Sequence, residues 1–420
     1  MRTFRSIGLT ILLLSTIILS FFIWKSEAQK RMLKQDIIEL SKVKYGLFNV
    51  DEWKSILAEI ISKKIDQFNF NRENRDEMEV KVSDFLHKAI NEFEQNFKQT
   101  NRKQSWFGIS YKNVIANSVS LFTRLRENVP ELTNQIITYL DDPGNRQSLK
   151  QYINKKIGEY ADETFSQIDY SHLNSILTAH NYENRIEALD GLQQQIRTLD
   201  KQSKIFRYSL IAFILIQTLA LIVFRKLSKL ETTVFTGLAF TLLCLGLSLP
   251  MIDIDARISE MSFTLLGENI RFTDQVLYFK SKSILEVVSM MFQQGKIDLA
   301  LVGVLVLLFS VIFPISKLVC TLLYTYKQKL RDATWINFIV FRTGKWSMAD
   351  VMVVTIFMAY IGFSGIITEQ LKQLESIASS FDILTTNQST LQLGFYMFTC
   401  FVVISLLISQ RIQDSRVIPS

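Results

Sequence analysis

The chain has few of the residues that build metal, redox or disulfide sites. It contains three cysteines and three histidines in 420 residues. Cys244, Cys320 and Cys400 all fall inside long apolar stretches, so the polar part of the chain has no disulfide framework and no Cys-x-x-Cys zinc ribbon. The histidines lie too far apart in sequence for metal-ligand spacing. We therefore expect neither a metal ion nor a cofactor.

Motifs of covalent catalysis are missing as well. The sequence shows no nucleophile–base arrangement and no phosphate-binding glycine loop, so an enzyme is not expected. The formal charge of +7 comes largely from Lys and Arg in short connections between apolar stretches. That pattern indicates membrane topology, and it needs no nucleic-acid partner to explain it.

Long apolar runs are abundant. Hydropathy at the length of a bilayer-crossing helix identifies six candidate spans, at 6–24, 205–224, 232–250, 297–324, 348–367 and 391–410. The sequence therefore predicts an all-α polytopic membrane protein with six transmembrane helices, a helical extracytoplasmic domain and a small extracytoplasmic β element. The predicted parts are an anchor at 1–24, the outer helical domain at 25–204, a second transmembrane helix at 205–224, a four-helix membrane module at 230–410 and a tail at 411–420.

The orientation follows from the basic residues. If all six spans cross, the Lys and Arg of the short connections fall on one side, which predicts cytoplasmic termini and places 25–204 outside. Ser26-Glu27-Ala28 is a passable cleavage site, so the first span could also be a signal peptide. Its apolar core is longer than a typical signal core, which favours an uncleaved anchor.

The outer domain is predicted as a succession of helices. Apolar residues recur at steps of three and four along 78–97, and Pro130 suits the first turn of another helix. A last helix with leucines and isoleucines at 189–199 leads into the second span. Between the third and fourth spans, residues 251–273 alternate apolar and polar side chains and predict a hairpin, followed by a short helix that stops at Gly295.

A candidate site lies in the fourth span. Pro314 cannot donate a backbone hydrogen bond, so the carbonyl of Ser310 loses its α-helical partner. Lys317 in mid-membrane costs about 2.5–3.5 kcal/mol. In a regular helix Ser310 and Lys317 would share one face. A freed carbonyl, a hydroxyl and an ammonium on one face indicate a working polar site.

Asp350, early in the fifth span, is the candidate partner of Lys317. Intramembrane acid–base pairs often belong to proton or ion relays. Structural alternatives stay open for each residue. Ser347 with Asp350 resembles a capping box, Lys317 can extend towards the cytoplasmic surface, and Pro314 can be a packing kink. Trp346 suits the aromatic belt of the interface.

Three stretches carry a resemblance to a known family. They are Ser283 through Gly295, then Phe313-Pro314-Ile315-Ser316-Lys317, and then Lys345-Trp346-Ser347-Met348-Ala349-Asp350-Val351. Together they make residues 230–410 similar to the paraquat-inducible protein A family of bacterial inner-membrane proteins. The resemblance implies a module that works with tethered proteins of the mammalian-cell-entry (MCE) type, which form periplasmic tunnels for phospholipid. It also implies that Lys317 and Asp350 belong to the polar centre of the module.

The chain departs from the family pattern in two ways. Family members commonly have two modules and zinc ribbons, whereas this chain has one module, no ribbon and an outer helical domain. A partner that fits the usual two-module protein would therefore require two copies of this chain to associate, and the sequence leaves that homodimer open.

Two other functions remain open at the level of sequence. A bacterial envelope sensor or scaffold has the same layout, namely a span, an outer helical domain and a second span. Against this function, only a short basic loop and no output domain follows the second span. A neighbouring gene for a kinase would favour a sensor, and one for an MCE-type protein would favour transport. An ion channel is the weakest alternative, because it would rest on a single charged pair.

Overall fold

The computed structural model describes residues 2–42, 59–61, 63–64, 75–100, 122–141, 151–152, 155–156, 170–224, 227–265, 267–327, 334–337, 339–340, 349–377 and 382–417. The helices and strands are α1 (Arg2–Leu40), α2 (Arg75–Thr100), α3 (Val129–Asp141), α4 (Ser171–His180), α5 (Arg185–Val223), α6 (Lys229–Ser248), β1 (Ile252–Leu265), β2 (Glu268–Lys282), α7 (Ile284–Gln293), α8 (Ile297–Leu307), a π-helical turn (Leu308–Ile312), α9 (Phe313–Tyr326), α10 (Thr334–Asn337), α11 (Ala349–Ile377), β3 (Asp382–Asn387), β4 (Thr390–Leu391) and α12 (Leu393–Val417).

Five helical stretches among the described residues are long and apolar enough to cross a membrane. They are Phe4–Leu40, Arg185–Val223, Lys229–Ser248, Ile297–Tyr326 and Leu393–Gln413. They coincide with five of the six predicted spans. The remaining one, at 348–367, coincides with α11, whose apolar part Val353–Glu369 is shorter. The chain is thus a mainly helical, multi-pass membrane protein, and its sixth span remains a prediction.

Helix α6 is the centre of the bundle. Of the most apolar 18 residues of α6, 67% are buried inside the protein, whereas only 17% are buried in the corresponding part of the α8–α9 stretch. Helix α6 packs against α1, α9 and α12. Gly246 lets α12 approach closely, because a Cβ at this position would lie 2.8 Å from the backbone of Phe398. The other helices expose large apolar side chains around this core, as surfaces in contact with lipid do.

Helices α1 and α5 pack against each other and extend well beyond the length of a span. Asn181, in the left-handed conformation at φ 57°, ends α4 and reverses the chain into α5. A separate small core joins these helices, made of Leu33, Ile37, Leu40, Leu173, Ile176, Ala188 and Leu192. We call residues 25–42, 171–180 and 185–204 the arm. The predicted helix leading into the second span is therefore confirmed, and it is continuous with that span.

Two further helices, α2 and α3, belong to the region predicted as the outer helical domain. They contact each other. The apolar stripe predicted along 78–97 is buried in α2 at Met78, Val82, Leu86, Ile90 and Phe93. Pro130 lies in the first turn of α3, as predicted. The turn predicted at 142–145 lies outside the described residues.

A four-stranded antiparallel sheet is formed by strands that follow α6 and strands that precede α12 in the chain. The end of the bundle that carries this sheet lies next to the arm, and we call it the sheet end. The strand order is β2-β1-β3, with β4 also paired to β1. The predicted hairpin turn is confirmed at Gly267, whose φ is +81°. So is the helix that follows it, capped by Ser283 and stopped at Gly295.

The extent predicted for the β element, 251–273, was too short. Strand β2 continues to Lys282, and β3 and β4 come from the connection before α12. The alternation of buried and exposed residues in β2 stops at Asp274, which has φ 50°, and a register shift lies near Ala256. Since a bulge moves the following side chains to the other face, the sequence pattern was lost there.

Candidate functional site

The fourth predicted span is not a single regular helix. It runs as α8, a π-helical turn over Leu308–Ile312 and α9. The N–H of Phe313 donates to the carbonyl of Leu308, five residues back. Pro314 is buried and follows directly, in the first turn of α9. A π turn beside a proline widens the helix locally, and such turns are frequent at functional sites.

Ser310 lies inside this π turn. Its side chain is fully buried, and its Oγ has no hydrogen-bond partner among the described residues. A buried hydroxyl without a partner costs free energy, so a protein has reason to retain one where it meets a ligand or a transient partner. The sequence predicts Ser310 and Lys317 on one helix face. Both side chains are buried, and the extra residue of the π turn changes the regular spacing that the prediction assumed.

Lys317 is 4% exposed in the middle of α9. Its Nζ donates to the carbonyl of Ser405 in α12, at 3.5 Å. The same carbonyl accepts a hydrogen bond from Ser409 Oγ at 3.0 Å. The ammonium therefore points between α9 and α12, into the interior of the bundle.

The hydroxyls around Lys317 continue the polar strip along α9. Thr321 Oγ1 donates to the carbonyl of Lys317 and Thr325 Oγ1 donates to that of Thr321, each at 2.8 Å. All three side chains are buried. Ser405, Thr321 and Thr325 were not among the residues predicted for the site. The spacing of Lys317, Thr321 and Thr325 at four residues could have identified one polar face of α9, whereas the contact with Ser405 needed the fold.

The other predicted site residues, Asp350, Trp346 and Ser347, lie wholly or partly outside the described residues. Asp350 is the second residue of α11, and its side chain lies outside the described set, as do Trp346 and Ser347 entirely. Helix α11 contacts the π-helical turn and α12. The element that carries Asp350 is therefore a neighbour of the element that carries Ser310. A contact between Asp350 and Lys317 stays a prediction.

A second set of charges joins the arm to the sheet end. Lys34 Nζ pairs with Asp253 Oδ2, and Arg31 Nη2 pairs with Glu286 Oε2, each at 2.6 Å. Arg31 also donates to the carbonyl of Ser281 at 3.1 Å. Glu286 completes a capping box with Ser283 at the start of α7. These pairs attach α1 to both the sheet and α7.

The electrostatics of Glu286 follow from these contacts. Burial by itself raises the pKa of the carboxyl group, but the hydrogen bonds from Arg31 and from the backbone of Ser283, with the charges of Arg31 and Lys282, outweigh it. The net effect lowers the pKa below its ordinary value. In the part of the chain that the structure describes, no group of three or more His, Cys, Asp or Glu could hold a metal ion.

The chain was compared with known proteins in three ways. Neither the search of curated proteins nor that of solved structures found a match. The match to a family covers α6, the β1–β2 hairpin, α7, the span with Ser310 and Lys317, and most of α11, and it leaves the arm and α12 outside. The model of the family described as Paraquat-inducible protein A matches residues 227–372, which confirms for that part of the chain the resemblance found in its sequence.

Proposed function

We propose that the protein is an inner-membrane subunit of a system that moves phospholipid between the inner and outer membranes of a bacterium, together with an MCE-type tunnel protein. The observation that supports this most is the family match over residues 227–372 combined with the buried polar site inside the matched region. In this role the chain moves lipid without making or breaking covalent bonds. Its role is to accept lipid at the sheet end and pass it to a periplasmic partner.

Lys317 and Asp350 would couple this movement to a proton. In the proposal they neutralise each other, and protonation of Asp350 releases Lys317 to the carbonyl of Ser405. Ser310 supplies a hydroxyl that lacks a described partner in the adjoining π turn. Because α11 contacts the π turn, a charge change on Asp350 can bias the packing of α11 against the fourth span.

The predicted outer helical domain would dock the partner. The arm supports this role, because α1 and α5 run without interruption from their spans into it. Ion pairs then connect α1 to Asp253 in β1 and to Glu286 in α7, which both lie within residues 227–372. A partner bound to the outer domain could thus act on the lipid-handling module through α1.

The same continuous helices support the second candidate, a membrane-anchored envelope sensor or scaffold. In that case α1 and α5 transmit the binding of a ligand on the outer domain across the membrane. The family match weighs against this candidate, because it lies outside both helices.

The test is affinity purification of the full chain in mild detergent, followed by mass spectrometry of proteins and lipids that copurify. Wild type, Lys317→Ala and Lys327→Ala are compared, since Lys327 is an exposed lysine at the end of α9 and serves as the matched control. Transport predicts phospholipid together with an anchored protein of repeated MCE domains, and a changed lipid load in Lys317→Ala only. Signalling proteins without lipid above a control membrane protein would contradict transport and favour the sensor.

A further inference from the structure

A cavity of about 410 Å³ lies at the sheet end, between α1, α5 and the sheet. Leu249 and Pro250, which follow α6, and Leu393, which begins α12, line one side of it. Because α6 and α12 are candidate membrane spans, their ends place the cavity at the boundary between apolar membrane and water. A second side is formed by α1 and α5, which lie outside the family match.

Two buried polar atoms on residues that line this cavity have no hydrogen-bond partner among the described residues. They are Nε of Arg31, a donor, and Oδ1 of Asp253, an acceptor. The remaining atoms of both groups are held in place, since Arg31 Nη2 pairs with Glu286 and Asp253 Oδ2 pairs with Lys34. Asp253 is only 4% exposed. Two side chains of fixed position in the cavity wall therefore each keep one polar atom, a donor on Arg31 and an acceptor on Asp253, that has no partner among the described residues.

The other lining groups are of mixed charge. The cavity has five cationic side chains, Lys30, Arg31, Lys34, Arg207 and Arg257, and three carboxylates, Glu27, Asp200 and Asp253. A simple anion would satisfy Arg31 but would leave the Asp253 oxygen facing negative charge. A group with a phosphate and an ammonium satisfies both. Ile37, Ile38 and Phe279 add apolar surface on which the glycerol end of a lipid can lie.

We propose that this cavity binds the zwitterionic headgroup of a phospholipid of the phosphatidylethanolamine type. Arg31 receives the phosphate oxygen at Nε, and Asp253 receives the ammonium at Oδ1. A membrane lipid is favoured over a soluble phosphoethanolamine because the cavity lies at the ends of two spans and has apolar lining. The inference rests on the proposed function, to which it adds a lipid class and an entry point outside the family region.

The test measures headgroup preference directly, without a partner and without transport. The full chain in detergent is titrated with short-chain phosphatidylethanolamine and with phosphatidylglycerol of the same acyl chains, and bound lipid is counted by native mass spectrometry. Wild type is expected to prefer phosphatidylethanolamine by about tenfold, the effect of one charge-assisted hydrogen bond. Asp253→Asn is expected to lose the preference, because the amide cannot pair with an ammonium as a carboxylate does.

Glu286→Gln is the matched control. It removes the partner of Arg31 Nη2 and so disturbs the same attachment of α1, but Glu286 does not line the cavity. Because Arg31 binds the phosphate that both lipids share, Glu286→Gln is expected to weaken the binding of both lipids alike and to keep the preference between them. Equal binding of the two lipids by wild type, or the same loss in Glu286→Gln as in Asp253→Asn, would overturn the site. Competition by free glycerophosphoethanolamine as strong as that of the lipid would overturn its assignment to a membrane lipid.

Failure of the site can be distinguished from failure of the proposed function. Lipid movement is followed separately, in vesicles that contain the chain and its MCE-type partner. A chain that shows the preference but moves no lipid contradicts transport and leaves the site standing. A chain that moves lipid without any preference contradicts the site and leaves transport standing.

Discussion

At the scale of the residue, the hydroxyl of Ser310 offers the simplest test of the candidate site. Because its Oγ is fully buried without a described partner, Ser310→Ala is expected to leave stability unchanged or to raise it by up to about 1 kcal/mol. Transport of lipid is expected to fall, since the hydroxyl is retained for function. Thermal unfolding in detergent and lipid movement in vesicles measure the two effects.

Thr218→Val is the control for this prediction, because Thr218 Oγ1 bonds to the carbonyl of Ile214 in its own helix α5, four residues back and outside the candidate site. It is expected to change lipid movement little. A loss of more than about 1 kcal/mol in Ser310→Ala would show that the hydroxyl has a structural role. Ser310 would then be a structural residue and not a working group of the site.

The pairing of Lys317 with Asp350 is tested by a double-mutant cycle. If the two charges neutralise each other, Lys317→Met and Asp350→Asn each leave the other charge buried without its partner, and the double variant loses less than the sum. We expect a coupling of about 1–3 kcal/mol from thermal unfolding of the four proteins. Additive effects within a few tenths of a kcal/mol would show that the two groups do not interact.

Pro314 and Lys317 could be identified from the sequence because each is costly inside an apolar span, whatever surrounds it. Their burial and the irregular helix at Pro314 agree with that argument. Ser405 could not be found in this way. A serine is inexpensive in a membrane helix, and its carbonyl matters only because α12 happens to pack beside α9.

At the scale of the element, the contact between α6 and α12 depends on Gly246. Its Cβ in Gly246→Ala would lie 2.8 Å from the Cα of Phe398, and backbone cannot turn aside as a side chain can. We expect a loss of about 1–3 kcal/mol from the resulting shift of α12, more than any gain in helix propensity. Thermal unfolding in detergent measures it.

Gly237→Ala, in the same helix, is the matched control. A Cβ there meets the Cδ2 atom of Leu13 at 3.1 Å, and this side chain can change rotamer. The control is expected to lose less than about 1 kcal/mol. Equal stability of both variants would mean that α12 can shift without a loss of free energy. The close packing of α6 and α12 would then not contribute to stability.

The helices were largely predictable because each carries its own pattern. Five spans, the stripe of α2, the first turn of α3 and the capped helix α7 all follow from residues that are close in sequence. Strand β3 could not be predicted in this way, because it is only six residues long and its partner β1 lies about 120 positions earlier in the chain. A strand so short has no alternation that distinguishes it from a loop.

At the scale of the whole molecule, α1 is fastened to the matched region at both of its ends. Arg5 Nε pairs with the fully buried Glu231 of α6 at 2.5 Å, and Arg31 and Lys34 pair with α7 and β1. The N–H of Val276 in β2 also donates to the carbonyl of Ser41. No sequence pattern indicates these contacts, because every partner is more than 200 residues away.

The Arg31–Glu286 pair makes part of this attachment depend on pH. The fold lowers the pKa of Glu286, so the folded state holds the carboxylate more strongly than the unfolded chain does. The stability it contributes is fully present above the ordinary pKa of a glutamate, near 4.3. It is lost as the pH falls through the lowered pKa. Since the Glu286 side chain is 36% exposed, solvent screening keeps the contribution below about 1 kcal/mol.

Hydrogen exchange along residues 27–40, corrected for the intrinsic rate at each pH, measures this attachment. Wild type is expected to be protected at pH 7 and to lose protection by a few-fold as the pH falls below about 4.3. Glu286→Gln is expected to show the weaker protection already at pH 7, while α7 stays intact because glutamine also completes a capping box. If Glu286→Gln is protected like wild type at pH 7, the Arg31–Glu286 pair contributes nothing to the attachment, and the bond from Arg31 to Ser281, the Lys34–Asp253 pair and the backbone bridge at Val276 must hold the arm to the sheet.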